Sequence, residues 1–207
     1  MNITESERLF EKILSNRAIS HTKITESTIR TPDYEVVLGD VKSYWEIKEL
    51  NENPSEKQII DNVESGTAEI YSIDSDRASR SIDTASRQLR GYGNAGNICI
   101  IALYDARDFC TKDFLFEMHI KSLIVGTAEY MQAKDGTFKE IKRNNGRLSG
   151  DKKYISAIVV IYKTTSELVF YHNPYTTNKI VHEDFFTIFT DHFHAIQTDA
   201  GLEWKKI

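Results

Sequence analysis

RTPDYEVVLGDVKSYWEIKEL, residues 30–50, decides how this chain folds. Two runs rich in β-branched and aromatic residues flank Gly39-Asp40, and glycine at the first central position of a two-residue loop marks a type II′ hairpin turn. If Leu38 pairs with Val41, then Tyr34 lies opposite Trp45 and Asp33 lies opposite Glu46. Side chains alternate along a strand, so Tyr34, Val36, Leu38, Val41, Trp45 and Ile47 form one apolar surface, interrupted only by Ser43. Asp33, Glu35, Val37, Lys42, Tyr44, Glu46 and Lys48 point the other way.

Two carboxylates facing each other across a hairpin, with Cβ atoms roughly 5 Å apart, repel and destabilise the pair. A positive charge is expected between them. One candidate is Lys48, two residues along the same face from Glu46. The other is a divalent cation, because hard ions such as Mg²⁺ are held by one or two carboxylates together with water and substrate phosphate. An amine beside such an ion could position or deprotonate an attacking water.

Pro32-Asp33, a gap, and Glu46-Ile47-Lys48 resemble the PD-(D/E)xK motif of restriction endonucleases and junction resolvases. The resemblance implies Mg²⁺- or Mn²⁺-dependent hydrolysis of nucleic-acid phosphodiesters, by a DNA endonuclease before an RNA-cutting one. It makes Asp33 and Glu46 metal ligands, adds the backbone carbonyl of Ile47, and sets Lys48 beside the nucleophilic water. It further implies a glutamate from the first helix. Glu7 takes that place, in a Glu7-Arg8-Leu9-Phe10 opening similar to that of archaeal Holliday-junction resolvases, with Glu11 one turn later as the alternative.

Length and composition set the frame. The 207 residues suit one domain, 1–207, with a substantial core. The net charge of −5 gives no global basic field, so any nucleic-acid surface is a local patch. Cys99 and Cys110 make no disulfide framework, and Cys99 falls in an apolar run that suits a buried free thiol. The N-terminal stretch has neither a basic start nor an apolar h-region, and the longest apolar run, Ile155 to Tyr162, is strand-sized. These features predict a soluble cytoplasmic protein with no membrane partner.

Thr4 and Glu7 form a capping-box pattern ahead of Leu9, Phe10, Ile13 and Leu14 at helical spacing. Asn51 to Asp74 is polar and carries a short helix or strand around Ile59 to Tyr71. Ser75 to Tyr92 reads as a helix burying Ala78, Ile82, Ala85 and Leu89. Arg77, Arg80, Thr84 and Arg87 stripe its other side, with Arg90 beyond, and guanidinium forks match phosphate oxygens. Gln88 to Tyr92 is similar to the Q-x-x-x-Y pattern of the RecB-type exonuclease branch, which implies that Gln88 supports the catalytic site.

Asn97 to Asp105 predicts a strand buried on both faces, at the sheet centre. A helix over Asp113 to Val125 follows, with Thr111 as its cap. A first strand is expected within Ile24 to Ile29, completing an α/β fold with a restriction endonuclease-like αβββαβ core, a central mixed sheet flanked by helices. Lys139 to Lys153 reads as a basic loop, with Lys142, Arg143 and Arg147 as further phosphate contacts. Tyr154 to Lys163 and Glu167 to Asn173 predict a hairpin that extends the sheet, and Glu183 to Gln197 a last helix. On such a helix His192 and His194 cannot share a face, so no metal site is read there.

No Ser-His-Asp order, glycine-rich phosphate loop, C-x-x-C pair or dinucleotide fingerprint appears. The favoured reading is a nuclease acting on nucleic acid, with a homodimer expected if both strands of a duplex are cut. A non-catalytic nucleic-acid-binding or protein-interaction module on the same fold is the alternative, followed by an unrelated α/β protein with a purely structural hairpin.

Overall fold

The structure is a computed structural model that describes residues 3–25, 30–69, 75–107, 112–163 and 165–207. It begins with α1 (Glu5–Asn16), whose Thr4–Glu7 capping box forms as the sequence predicts. The strands β1 (Ser20–Lys23), β2 (Tyr34–Leu38) and β3 (Val41–Leu50) follow as an antiparallel meander. Two helices, α2 (Pro54–Glu64) and α3 (Ser75–Asn94), precede β4 (Ile98–Asp105), and α4 (Lys112–Val125) comes next. A ribbon of β5 (Ala128–Gln132) and β6 (Phe138–Arg143) stands apart from the main sheet. The chain closes with β7 (Ala157–Tyr162), β8 (Glu167–His172), α5 (Glu183–Ile188), β9 (Asp191–Thr198) and β10 (Gly201–Lys206).

Eight strands make one mixed sheet in the order β1-β2-β3-β4-β7-β8-β9-β10. The run β3, β4, β7 is parallel, as expected where helices cover both faces. On one face α1 and α5 bury Phe10, Leu14, Trp45, Phe170 and Phe185. On the other α3 and α4 bury Ile82, Leu89, Ile101, Ile120 and Tyr171. Cys99, at the start of β4, is buried and free, and burial pushes its thiol up to about 12.

The hairpin register matches that counted from the sequence, with Leu38 opposite Val41 and Tyr34 opposite Trp45. Gly39 has φ of 56° while Asp40 stays out of the left-handed region, as a type II′ turn requires. Ser43, the polar break in the apolar face, donates to the Val36 carbonyl and accepts from the Trp45 indole at 2.8 Å, so its burial leaves no bond unmade.

Four expectations need correction. The first strand is Ser20–Lys23, ahead of the 24–29 window, of which residues 26–29 lie outside the described part. The basic segment is not all loop, because Lys139 to Arg143 belong to β6. The expected hairpin, β7 with β8, does extend the sheet, but the last helix ends at Ile188. Residues 191–198 are instead strand β9, which pairs with β8 and β10. His192 and His194 therefore share a face after all and pack, with rings tilted, against His172. The proposed Thr111 cap and Cys110 lie outside the described residues.

Candidate active site

The site lies where β3 runs past the start of β2. Trp45 is the last residue of β3 paired with β2, and here Asp33 turns its side chain into the ladder. Its Oδ2 accepts the Ile47 N–H at 2.7 Å, standing in for a main-chain carbonyl. Pro32, one residue earlier, has no N–H to offer a facing carbonyl. Chain ordering at this point is thus built around an acidic side chain and an imino acid, and it aims Asp33 at Glu46.

Glu46 is wholly buried. One carboxylate oxygen pairs with Lys48 Nζ at 2.5 Å, and the other, Oε2, is buried with no partner in the protein. Burial foremost, and then the Asp33 charge, push Glu46 up to about 7, against the pull of Lys48. Burial also raises Asp33, countered in part by the Ile47 N–H and Lys48. Both carboxyls are therefore held in an environment that resists their negative charge, and Lys48 at 25% exposure offsets only part of it. Among the described residues no three His, Cys, Asp or Glu side chains converge to hold a metal ion. The hard-oxygen pair of Asp33 and Glu46, with one carboxylate oxygen unpartnered, still suits Mg²⁺ or Mn²⁺, which is commonly held by one or two protein carboxylates and otherwise by water.

Gln88, on α3, reaches this region, and its Nε2 donates to the Thr31 carbonyl at 3.4 Å, two residues before Asp33. Glu7 also stands close. Its Oε2 accepts the Thr4 N–H at 2.9 Å and its Oε1 accepts from Lys23 Nζ at 2.7 Å. Burial alone would raise Glu7, but these hydrogen bonds prevail and hold it below the usual glutamate range. Lys23 is the residue that the sequence did not single out. It ends a short strand with no apolar pattern, and it became visible only once β1 paired with β2, opposite Tyr34.

The expected phosphate contacts divide by place. Arg77 is committed to Glu56 at 2.5 Å and to the Asn51 carbonyl. Arg107 bonds the same Glu56 and grips Asp105 with two bonds of 2.8 Å, so α2, which buries no residue of its own, is tied to the carboxyl end of β4. This network borders the end of β3, since Asp105 pairs with Leu50. Arg80 and Arg87 are exposed on α3. Lys142 and Arg143 are not brought to the site. They lie on β6, beside β10, which is five strand positions or about 24 Å from β3. Arg143 is paired with Glu140 and Lys142 faces Glu129. Arg147 is exposed near the far end of α4, its N–H on the Leu123 carbonyl.

A separate cluster joins His172, His192 and His194, with His172 Nε2 and His192 Nδ1 at 2.8 Å and His192 Nε2 against the Phe185 carbonyl. Burial takes His172 down to about 2 and His192 down to about 4. His172 and His194 line a cavity of about 310 Å³ with Thr176 and Lys179. It opens beside β8 and β9, on the far half of the sheet from Asp33.

No helix among the described residues is long and apolar enough to cross a membrane. Comparison with protein-family models, with curated proteins and with solved structures finds no match for this chain.

Proposed function

We propose that this chain is a metal-dependent nuclease that hydrolyses nucleic-acid phosphodiester bonds, DNA before RNA. The observation that carries the reading is the like-charged pair of half-buried Asp33 and wholly buried Glu46, with Glu46 Oε2 left without a partner and Lys48 at 2.5 Å from its other oxygen. A protein without catalytic duty gains nothing from facing two carboxylates where burial resists their charge, whereas a cation site needs them. The order of elements also supports a restriction endonuclease-like core, with α2 as an insertion: α1, the β1-β2-β3 meander, α3 as crossover, and β4 parallel to β3.

A divalent cation, when bound, supplies charge to offset the scissile phosphate and lowers the pKa of its water. Asp33 and Glu46 would hold it, with the Ile47 carbonyl beside them. Lys48 would exchange its Glu46 partner for the nucleophilic water, orienting it or, once its own ammonium proton has passed to solvent, taking the water's proton at Nζ. Gln88 steadies Thr31 and so the approach of the chain to Asp33. Arg80 and Arg87, exposed on α3, are the members of the arginine stripe free to reach a backbone phosphate.

The test is cleavage of supercoiled plasmid, linear duplex, single-stranded DNA and structured RNA, each with Mg²⁺, Mn²⁺ or EDTA. Wild-type protein cleaves with metal, and Lys48→Ala, folded by circular dichroism, loses at least a hundredfold in rate. A folded Lys48→Ala protein with full activity removes Lys48 from the chemistry. No cleavage and no metal binding by the wild type favours the interaction-module reading.

A further inference from the structure

Lys23 is an ammonium held in place at the end of β1, on the α1 side of the sheet, one residue from the backbone partner of Asp33. Its Nζ sits 2.7 Å from Glu7 Oε1 and 5.8 Å from the centre of the Tyr34 ring. The backbone locks it there, because Lys23 pairs with Tyr34 and the next N–H, of Ile24, bonds the Asp33 carbonyl at 2.8 Å. The side chain keeps 31% exposure, so part of it faces solvent. Lys48 lies with Glu46 on the opposite face of the sheet, since residues 44, 46 and 48 alternate with the α1-facing Trp45 and Ile47, whereas Lys23 shares the α1 face with its partner Tyr34, at the end of the strand pair that leads to Asp33.

Glu7 has both oxygens engaged, one by the helix cap and one by Lys23, and among the described residues no third carboxylate joins Asp33 and Glu46. A lysine is a compact point charge with three donors, suited to a phosphate oxygen. We infer that Lys23 is a phosphate-contact residue of the proposed nuclease, gripping a backbone phosphate beside the scissile one, and that Glu7 serves to hold Lys23 rather than to ligate the metal. The inference rests on the nuclease reading and assigns its substrate contact on the β1 side of the site, where nothing in the sequence pointed.

Binding of a fluorescent DNA duplex, followed by anisotropy in EDTA across a range of NaCl concentrations, tests the first half. Lys23→Gln lowers the slope of log K against log salt by about 0.9, the loss of one phosphate contact, and weakens binding several-fold, while Lys23→Arg restores both. The loss shrinks at least threefold in a Glu7→Gln background, since the two side chains act as a unit. Calorimetric titration with Mg²⁺ alone tests the second half, and Glu7→Gln binds it within twofold of wild type. An unchanged salt slope in folded Lys23→Gln overturns the phosphate contact. A tenfold or greater loss of Mg²⁺ affinity in Glu7→Gln returns Glu7 to the metal. If wild-type protein binds neither duplex nor Mg²⁺, the underlying nuclease reading falls and this inference falls with it.

Discussion

Glu46 carries the sharpest electrostatic tension in the molecule. A folded-state value of about 7, above the ordinary 4.5, means that between these limits the fold retains a proton the unfolded chain has lost. Stability from this group is present below pH 4.5 and is lost as pH rises through 7. Glu46→Gln should therefore stabilise the metal-free protein at pH 8 by about 1–3 kcal/mol, read as a higher urea midpoint. A lower midpoint would mean that the Lys48 ion pair outweighs burial. Metal should relieve the same tension in the wild type. Mg²⁺ at 100 times its Kd raises stability by about 2.7 kcal/mol, and the rise in Tm disappears in Asp33→Asn. The opposition of Asp33 and Glu46 was legible in the sequence because a two-residue turn fixes every cross-strand partner once its closing pair is known. Lys23 was not legible. Its place depends on which edge strand pairs with β2, and SHTK offers no alternation of apolar side chains to announce a strand.

Among the elements, the β2-β3 hairpin rests on its turn. Gly39 adopts positive φ, and a Cβ there would collide with the Asp184 carboxylate at the start of α5. Gly39→Ala should cost about 1–2 kcal/mol, from positive-φ strain, since the half-exposed Asp184 side chain can swing aside, and it should lower the denaturation midpoint without altering the m-value. A neutral result would show that the turn accepts a side chain by changing its backbone conformation. The C-terminal segment shows why local spacing misleads. Phe185, Phe189 and Phe193 recur every four residues, which places them on one side of a helix, yet four is also a multiple of the strand period. In the structure the period changes between Ile188 and Asp191. Phe193 packs against Tyr171 on the α4 side, and His192 and His194 turn to the opposite face to meet His172 and Phe186. What decides for strand is pairing with β8, with Val169 opposite Asp191, a partner 22 residues away that no local window contains.

For the molecule as a whole, the three histidines predict how it fails in acid. His172 and His192 remain neutral in the fold well below the ordinary 6.5, so the unfolded chain takes up protons first. Their contribution is intact above pH 6.5 and declines by about 1.4 kcal/mol per pH unit for each histidine as pH falls toward 4. Glu46 works in the opposite direction over the same range, so the decline should be steeper in Glu46→Gln than in wild type. Urea midpoints between pH 7.5 and 4.5 check this, and a flat profile in Glu46→Gln would show that the histidines titrate without strain. Cys99 gives the fold a clock of its own. With its thiol enclosed between α3 and the sheet centre, and its thiolate suppressed up to about 12, it cannot meet an alkylating reagent while β4 remains in place. In a Cys110→Ser background, the rate of Cys99 labelling therefore counts openings of the central strand, and at saturating reagent it reports how long the closed molecule survives between them.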